Sequence, residues 1–269
     1  MSIDRRALVL AALMAGVPLA AAALSDNPPN DMEDAMARIP RSWTGSEEIA
    51  MLVYPQMTAL DIIAPQHYFA SLMGAKVRLV GKTPAPVTSD TGVTITPTAT
   101  FETCPKDVSV IFVPGGTAGT LAAMRDNATL AFLADRGSRA AFVTSVCTGS
   151  LVLGAAGLLS GYKATSHWAA RDVLADFGAE PVKARVVHDR NRITGAGVTA
   201  GLDFGLSMVA MMRDETYAQG VQLQSEYDPD PPFRAGSPDT APEEVRRIIE
   251  PMTRNFVSEA RKVARSRRT

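Results

Sequence analysis

From residue 47 onward the chain alternates short apolar runs with stretches whose apolar positions recur at helical spacing. Residues 48–54 (EIAMLVY) make an apolar run of strand length, and residues 59–73 follow with helix-compatible spacing at Leu60, Ile63, His67 and Phe69-Ala70. That predicts a βα unit. Residues 76–81 (KVRLVG) predict a second strand, and 87–96, with Ser89-Asp90-Thr91-Gly92 at its middle, a hairpin. Residues 108–113 (VSVIFV) predict a buried strand ending at Pro114-Gly115-Gly116, with short helices after it over 117–124 and 127–136. Residues 140–146 (AAFVTSV) form a further buried strand that runs directly into Cys147.

The rhythm then repeats. A helix is expected over 148–156, a strand near 163–165, a helix over 168–177, and strands near 182–188 and 192–195. Residues 199–212 are apolar nearly all round, as in a buried helix, 222–232 reads as a loop, and 243–267 closes the chain as a helix. Strands alternating with helices predict one α/β domain over 47–269, with a mostly parallel sheet between helical layers.

The residues before this domain read as an address. Arg5-Arg6 precede an uncharged run over 7–24 that ends in Ala20-Ala21-Ala22-Ala23, which predicts a cleavable secretory signal over 1–23. The adjacent arginines resemble a twin-arginine signal, with Asp4 where that motif usually has Ser or Thr. The expectation is a periplasmic or otherwise exported protein with no stable membrane insertion after cleavage. The alternative is an uncleaved anchor, because about 18 apolar residues approach a bilayer span. Residues 24–46, with Pro28, Pro29 and Pro40, read as a linker.

Composition narrows the chemistry. With 269 residues, 46% of them hydrophobic, the chain can bury a sizeable core. Lys+Arg 27 against Asp+Glu 28 leaves no basic excess to neutralise phosphates, so a small molecule rather than nucleic acid is the expected partner, and the basic closing helix reads as a solvated face and tail. Two cysteines exclude a disulfide-rich scaffold, and three dispersed histidines without ligand spacing argue against a metal site.

The sharpest local signal is Ser145-Val146-Cys147-Thr148-Gly149-Ser150, where a strand passes straight into a helix with small residues two before and two after the cysteine. This is the pattern of a nucleophile elbow. A cysteine at a helix N-terminus faces the positive end of the dipole, so a lowered thiol pKa is expected. The competing use is a buried structural cysteine; Cys104 has no comparable context and reads as inert. Asp61 sits at the first βα junction, at the same carboxyl edge of the sheet, where it either shares a proton with the thiol or caps the helix. His167 is a general base, a helix cap or, the preferred reading, a pocket-lining residue. Gly115 and Gly116 offer backbone N–H groups to an anion or developing charge.

Together with Ala164-Thr165-Ser166-His167-Trp168, the segment 194–201 (TGAGVTAG), Leu60-Asp61 with Pro65, and Gln224-Ser225-Glu226-Tyr227-Asp228-Pro229, these motifs resemble the DJ-1/PfpI superfamily, and within it the isonitrile hydratase branch. The resemblance implies a flavodoxin-like three-layer sandwich, usually a homodimer, with Cys147 as nucleophile, Asp61 as its acidic partner and no cofactor. Superfamily peptidases tend to carry a histidine immediately after the cysteine; Thr148 stands there instead, which disfavours peptidase chemistry. The activity implied is hydration of isonitriles to N-substituted formamides through a cysteine thioimidate, with the Thr148 hydroxyl and nearby N–H groups steadying nitrogen or sulfur. Two alternatives stay open: glyoxalase or deglycase-like chemistry on small dicarbonyls, and a non-enzymatic redox-sensing or ligand-binding role.

Overall fold

The structure is a computed structural model that describes residues 37–267; the expected signal over 1–23 and the linker residues 24–36 lie outside the described residues. The long apolar runs become the centre of the sheet. Strands β1 (Glu48–Leu52), β6 (Val110–Val113) and β7 (Phe142–Val146) are buried almost throughout, because helices cover both faces of a parallel sheet. With β2 (Lys76–Gly81), β5 (Ala99–Thr100), β10 (Val186–Asp189) and β11 (Arg192–Gly195) they form a seven-stranded sheet in the order β10-β11-β7-β6-β1-β2-β5. All its pairings are parallel except β10 with β11. The hairpin expected over 87–96 forms as β3 (Val87–Thr88) and β4 (Thr94–Ile95), off the main sheet.

Helices α1 (Ala59–Ser71), α5 (Ala200–Met212) and α6 (Glu215–Gln224) pack together in one layer. The other layer holds α2 (Ala118–Arg125), α3 (Asn127–Gly137), α4 (Gly149–Ala155), α7 (Glu243–Ser266) and a 3-10 segment over Arg171–Phe177. Phe69 of α1, Phe112 of β6 and Phe204 of α5 join the first layer to the sheet, with ring centroids 5.6–6.2 Å apart. From β1 the chain winds outward through β2 to β5, then returns across β1 to β6 and winds the other way. The carboxyl ends of β1 and β6 therefore diverge at a topological switch point, where such sheets open a crevice.

Three expectations need correction. Helix α6 was not expected: only Tyr217, Ala218 and Val221 are buried and Gly220 weakens the pattern, but Asp214 caps it by accepting from Tyr217 N–H at 2.8 Å. Residues 168–177 tighten into the 3-10 segment rather than an α-helix, and β8 (Lys163–Ala164) pairs with β9 (Glu180–Pro181) in a separate two-stranded sheet. The end of the expected linker is docked: Trp43 meets Tyr217 edge-on at 5.0 Å and donates to Asp214 at 2.6 Å. No helix among the described residues is long and apolar enough to cross a membrane.

Arg213 locks that entry. Its guanidinium, 2% exposed, forks onto Glu47 at 2.6 and 3.0 Å and reaches the carbonyls of Trp43 and Met73 at 2.7 and 2.9 Å. We predict that Arg213→Ala, which removes the partner of Glu47 and of the Trp43 carbonyl and leaves the Met73 carbonyl only the Gly45 N–H, lowers stability by about 2–3 kcal/mol in urea unfolding, and that Arg213→Lys recovers only part because an ammonium cannot fork. Full stability in either variant would contradict this anchoring role.

Candidate functional site

Three chain crossings meet at the switch point: the turn between β1 and α1, the 114–116 turn after β6, and the turn after β7 that carries Cys147. Cys147 has φ +57, in the left-handed region that a side chain rarely adopts. Both of its backbone groups are pinned there. Its N–H donates to the carbonyls of Ala196 and Gly195 at 2.7 and 3.1 Å, and its carbonyl accepts from the hydroxyls of Ser166 and Ser150 at 3.0 and 3.2 Å. The glycine two residues on is sterically required, because a Cβ at Gly149 would run into the backbone carbonyls of Val113 and Pro114.

Asp61 lies on the first turn of α1 and is fully buried. It does not cap the helix: Thr58 is the N-cap residue, and Asp61 Oδ2 instead accepts from Gly115 N–H at 2.9 Å. Its Oδ1 is buried without a hydrogen-bond partner. Burial pushes the carboxyl up to about 7, against the opposing pulls of the Gly115 N–H and the Cys147 thiol. The thiol is 5% exposed, and burial and then the Asp61 charge push it up, against the N–H groups of Val198 and Thr148. The expected low-pKa thiolate is thus overturned. A helix terminus supplies at most about 2 kcal/mol, whereas full desolvation can move a titration by several pK units. At rest the sulfur is a thiol facing a carboxyl that titrates near neutrality.

The expected backbone donors are also spoken for. Gly115 N–H holds Asp61, and Gly116 N–H donates to Thr148 Oγ1 at 2.9 Å, so neither is free to meet developing charge on a ligand. Nor is the Thr148 hydroxyl free to steady a substrate atom. It donates to the Gly116 carbonyl at 2.6 Å, and its lone pairs accept from Gly116 N–H and from the Thr120 hydroxyl at 2.8 Å. Tyr54 extends this network by donating to the Pro114 carbonyl at 2.7 Å. Gly115 must lack a side chain, because a Cβ there would stand 2.7 Å from Asp61 Oδ2 and 2.6 Å from Thr148 N.

His167 is placed on the wall of a cavity of about 640 Å³, beside Ser166, Ala196, Gly197 and Val198. Its Nδ1 accepts from Ala169 N–H at 3.3 Å, and burial lowers its pKa, favouring the neutral ring. Cys104 is buried away from the site, and burial pushes its thiol up. Sequence reasoning did not single out Tyr54 or Thr120, which carry no motif.

The DJ-1/PfpI family model matches residues 47–211. Isonitrile hydratase of Pseudomonas putida is 53% identical over 198 residues, spanning 74% of this chain and 86% of that one. The crystal structure of a ThiJ/PfpI family protein from Pseudomonas syringae is 61% identical and superposes with a TM-score of 0.83, over 90% of this chain and 97% of that one. A deglycase of Thermococcus kodakarensis is 29% identical over 136 residues, half of this chain and 81% of its own.

Two stability measurements test these assignments. Thr148→Val strands Gly116 N–H and leaves the Thr120 hydroxyl only the Tyr54 hydroxyl at 3.4 Å, and should cost roughly 1–3 kcal/mol, while Thr148→Ser, which keeps the hydroxyl, should stay within about 1 kcal/mol; equal losses would refute the network. For Asp61, the folded pKa lies above the ordinary 3.8, so the folded state binds the extra proton and loses stability as pH rises from about 4 to about 7. Asp61→Asn has no proton to lose there. Its stability relative to the unsubstituted protein should therefore grow by roughly 2–4 kcal/mol between pH 4 and pH 8 in urea unfolding. A difference independent of pH would show that Asp61 ionises normally.

Proposed function

The chain belongs to the DJ-1/PfpI family, and we propose that it hydrates isonitriles to N-substituted formamides, with Cys147 as nucleophile at an elbow and Asp61 as the group that moves the proton. The carrying observation is the buried carboxyl beside the buried thiol, one titrating near 7 and the other pushed up, with one carboxyl oxygen unpartnered. The 53% identity to an isonitrile hydratase supports the same reading.

The chemistry fits this pair. The terminal carbon of R–NC accepts a nucleophile and a proton at the same atom. Ionised Asp61 takes the thiol proton, the thiolate adds to that carbon, and Asp61 delivers the proton to it, giving the thioimidate R–N=CH–S–Cys147. Asp61, ionised again, takes a proton from water as the hydroxide adds to carbon and passes that proton to the nitrogen. As the carbonyl forms and the C–S bond breaks, the hydroxyl proton passes through Asp61 to the sulfur, and R–NH–CHO leaves. Asp61 alternates as base and acid, which suits a carboxyl poised near neutrality. Thr148, Gly115 and Gly116 hold it in place, and His167 lines the approach.

The alternatives fit less well. Addition of a thiol to a dicarbonyl develops charge on a carbonyl oxygen in the first step and calls for donors aimed at it; the N–H groups of Gly115 and Gly116 are already engaged. A redox sensor needs a standing, accessible thiolate, and this thiol is buried and pushed up. Export over residues 1–23 belongs to the same proposal and places the reaction outside the cytoplasm.

The test is formamide production from a panel of alkyl and aryl isonitriles. Cys147→Ala should abolish turnover, and Asp61→Asn should lower kcat/KM by about 10²–10⁴-fold. Since Asp61 must be ionised to accept the thiol proton, kcat/KM should rise with pH and level off above about 7. No turnover of any isonitrile, with methylglyoxal consumed instead, would transfer the assignment to dicarbonyl chemistry.

A further inference from the structure

Asp61 is held by one peptide unit, and that unit is gripped from its other side. The Gly115 N–H that donates to Asp61 Oδ2 at 2.9 Å belongs to the same amide as the Pro114 carbonyl, which accepts from the Tyr54 hydroxyl at 2.7 Å. The amide is trans, so its N–H and C=O lie in one plane and point in opposite directions. A single rigid plane therefore joins the Tyr54 hydroxyl to the Asp61 carboxyl.

That plane needs an outside hold. Its two flanking torsions are those of Pro114 and Gly115, and a glycine, with no Cβ to restrict it, leaves the plane free to swing. The crowding that forbids a side chain at Gly115, with Asp61 Oδ2 and Thr148 on either side, removes the usual local restraint. Tyr54 supplies it from the crossing between β1 and α1, the same crossing that leads to Asp61. Its side chain is buried, and burial pushes its ionisation up, so the hydroxyl keeps its hydrogen throughout the range in which Asp61 titrates. The hydrogen bond also polarises the amide: a donor on the carbonyl makes the N–H at the other end a stronger donor.

We propose that Tyr54 is a positioning residue for the reaction: its hydroxyl, acting through the 114–115 peptide, aims and strengthens the Gly115 N–H on Asp61 and so keeps the carboxyl ready to take the thiol proton. Tyr54 moves no proton itself. An N–H donated to a carboxylate favours the ionised form, so weakening that bond raises the Asp61 titration above its present position near 7. The titratable groups that face Asp61 are the Cys147 thiol from the turn after β7, Tyr54 itself, and Asp90 from the turn of the β3–β4 hairpin. Removing the Tyr54 hydroxyl leaves the thiol and Asp90 in place. The assignment rests on the reading of Asp61 as the group that moves the proton and is independent of which electrophile Cys147 attacks.

The direct test is Tyr54→Phe, which keeps the ring and removes only the hydroxyl. The Asp61 carboxyl is followed against pH by carbon-13 NMR, with Asp61→Asn identifying its resonance. The titration should move upward by about 0.5–1 pH unit, and the rising limb of kcat/KM for isonitriles should move with it, so that activity falls about three- to tenfold at pH 6 and hardly changes above pH 9. A hydroxyl that served only the fold would lower kcat/KM by one factor at every pH. That uniform loss, or an unmoved carboxyl titration in the folded variant, would overturn the proposal. If Tyr54→Phe does not fold, the unsubstituted protein still decides: the Tyr54 Cζ resonance should follow the Asp61 titration and lose that step in Asp61→Asn, and a resonance flat across the titration would overturn it. Because the carboxyl titration uses no substrate, a displaced titration alongside absent isonitrile turnover leaves the role of Tyr54 standing while the proposed substrate falls.

Discussion

Two acids buried against each other cannot both ionise, and the site is organised around that constraint. Asp61 and Cys147 sit at the switch point of the sheet, each removed from water, with a single backbone N–H holding the carboxyl in position. The desolvation that raises both groups makes them share protons rather than carry two charges. The helix N-terminus beneath Cys147 pulls the other way, but a dipole worth at most about 2 kcal/mol does not offset full burial. The pair is therefore a reservoir with one readily moved proton, and the geometry around it preserves the closeness on which that depends. Gly149 and Gly115 lack the Cβ atoms that would push the elements apart, and the left-handed turn at Cys147 is pinned at both its N–H and its carbonyl.

A second consequence follows for the donors. In many acyl-transfer sites free backbone N–H groups wait for an oxyanion. Here the corresponding groups have been turned inward to build the site. Gly115 orients the acid, and Gly116 is tied twice to Thr148, whose hydroxyl is in turn held by Thr120. A reaction in which charge begins on sulfur and the electrophilic carbon is protonated directly suits that distribution better than one that begins by charging a carbonyl oxygen.

Much of this was legible in the sequence, and the boundary of legibility is physical. Strands β1, β6 and β7 could be read because strands buried on both faces are continuous apolar runs. The turn at Cys147 could be read because close backbone crossing restricts residue size at Gly149. Asp61 stood out as a carboxyl in an apolar segment at a sheet edge. What could not be read was set by neighbours distant in sequence. Helix α6 depends on the Asp214 cap and on packing against α5, and Trp43 is docked by Arg213, Asp214 and Tyr217, which arrive from 170 or more residues away. The thiol's ionisation was misjudged because the helix terminus is local and visible, whereas burial is a property of the assembled layers. Gly115 and Gly116 were misjudged for the same reason: a glycine pair shows that backbone approaches something closely, but not what.

Thr148 shows how one side chain can redirect the chemistry of a turn. A histidine there would place an imidazole beside the thiol and give the base a nitrogen. It would also remove the hydroxyl that joins the 116 carbonyl and N–H to Thr120, and so loosen the 114–116 turn from which Gly115 reaches Asp61. Threonine makes the opposite choice. It contributes no proton of its own, since its single hydrogen is committed to Gly116, but it stiffens the turn that keeps the carboxyl at the sulfur. The proton-moving role then falls to Asp61, whose raised pKa suits alternation between base and acid, and the residue after the cysteine matters through the position it enforces.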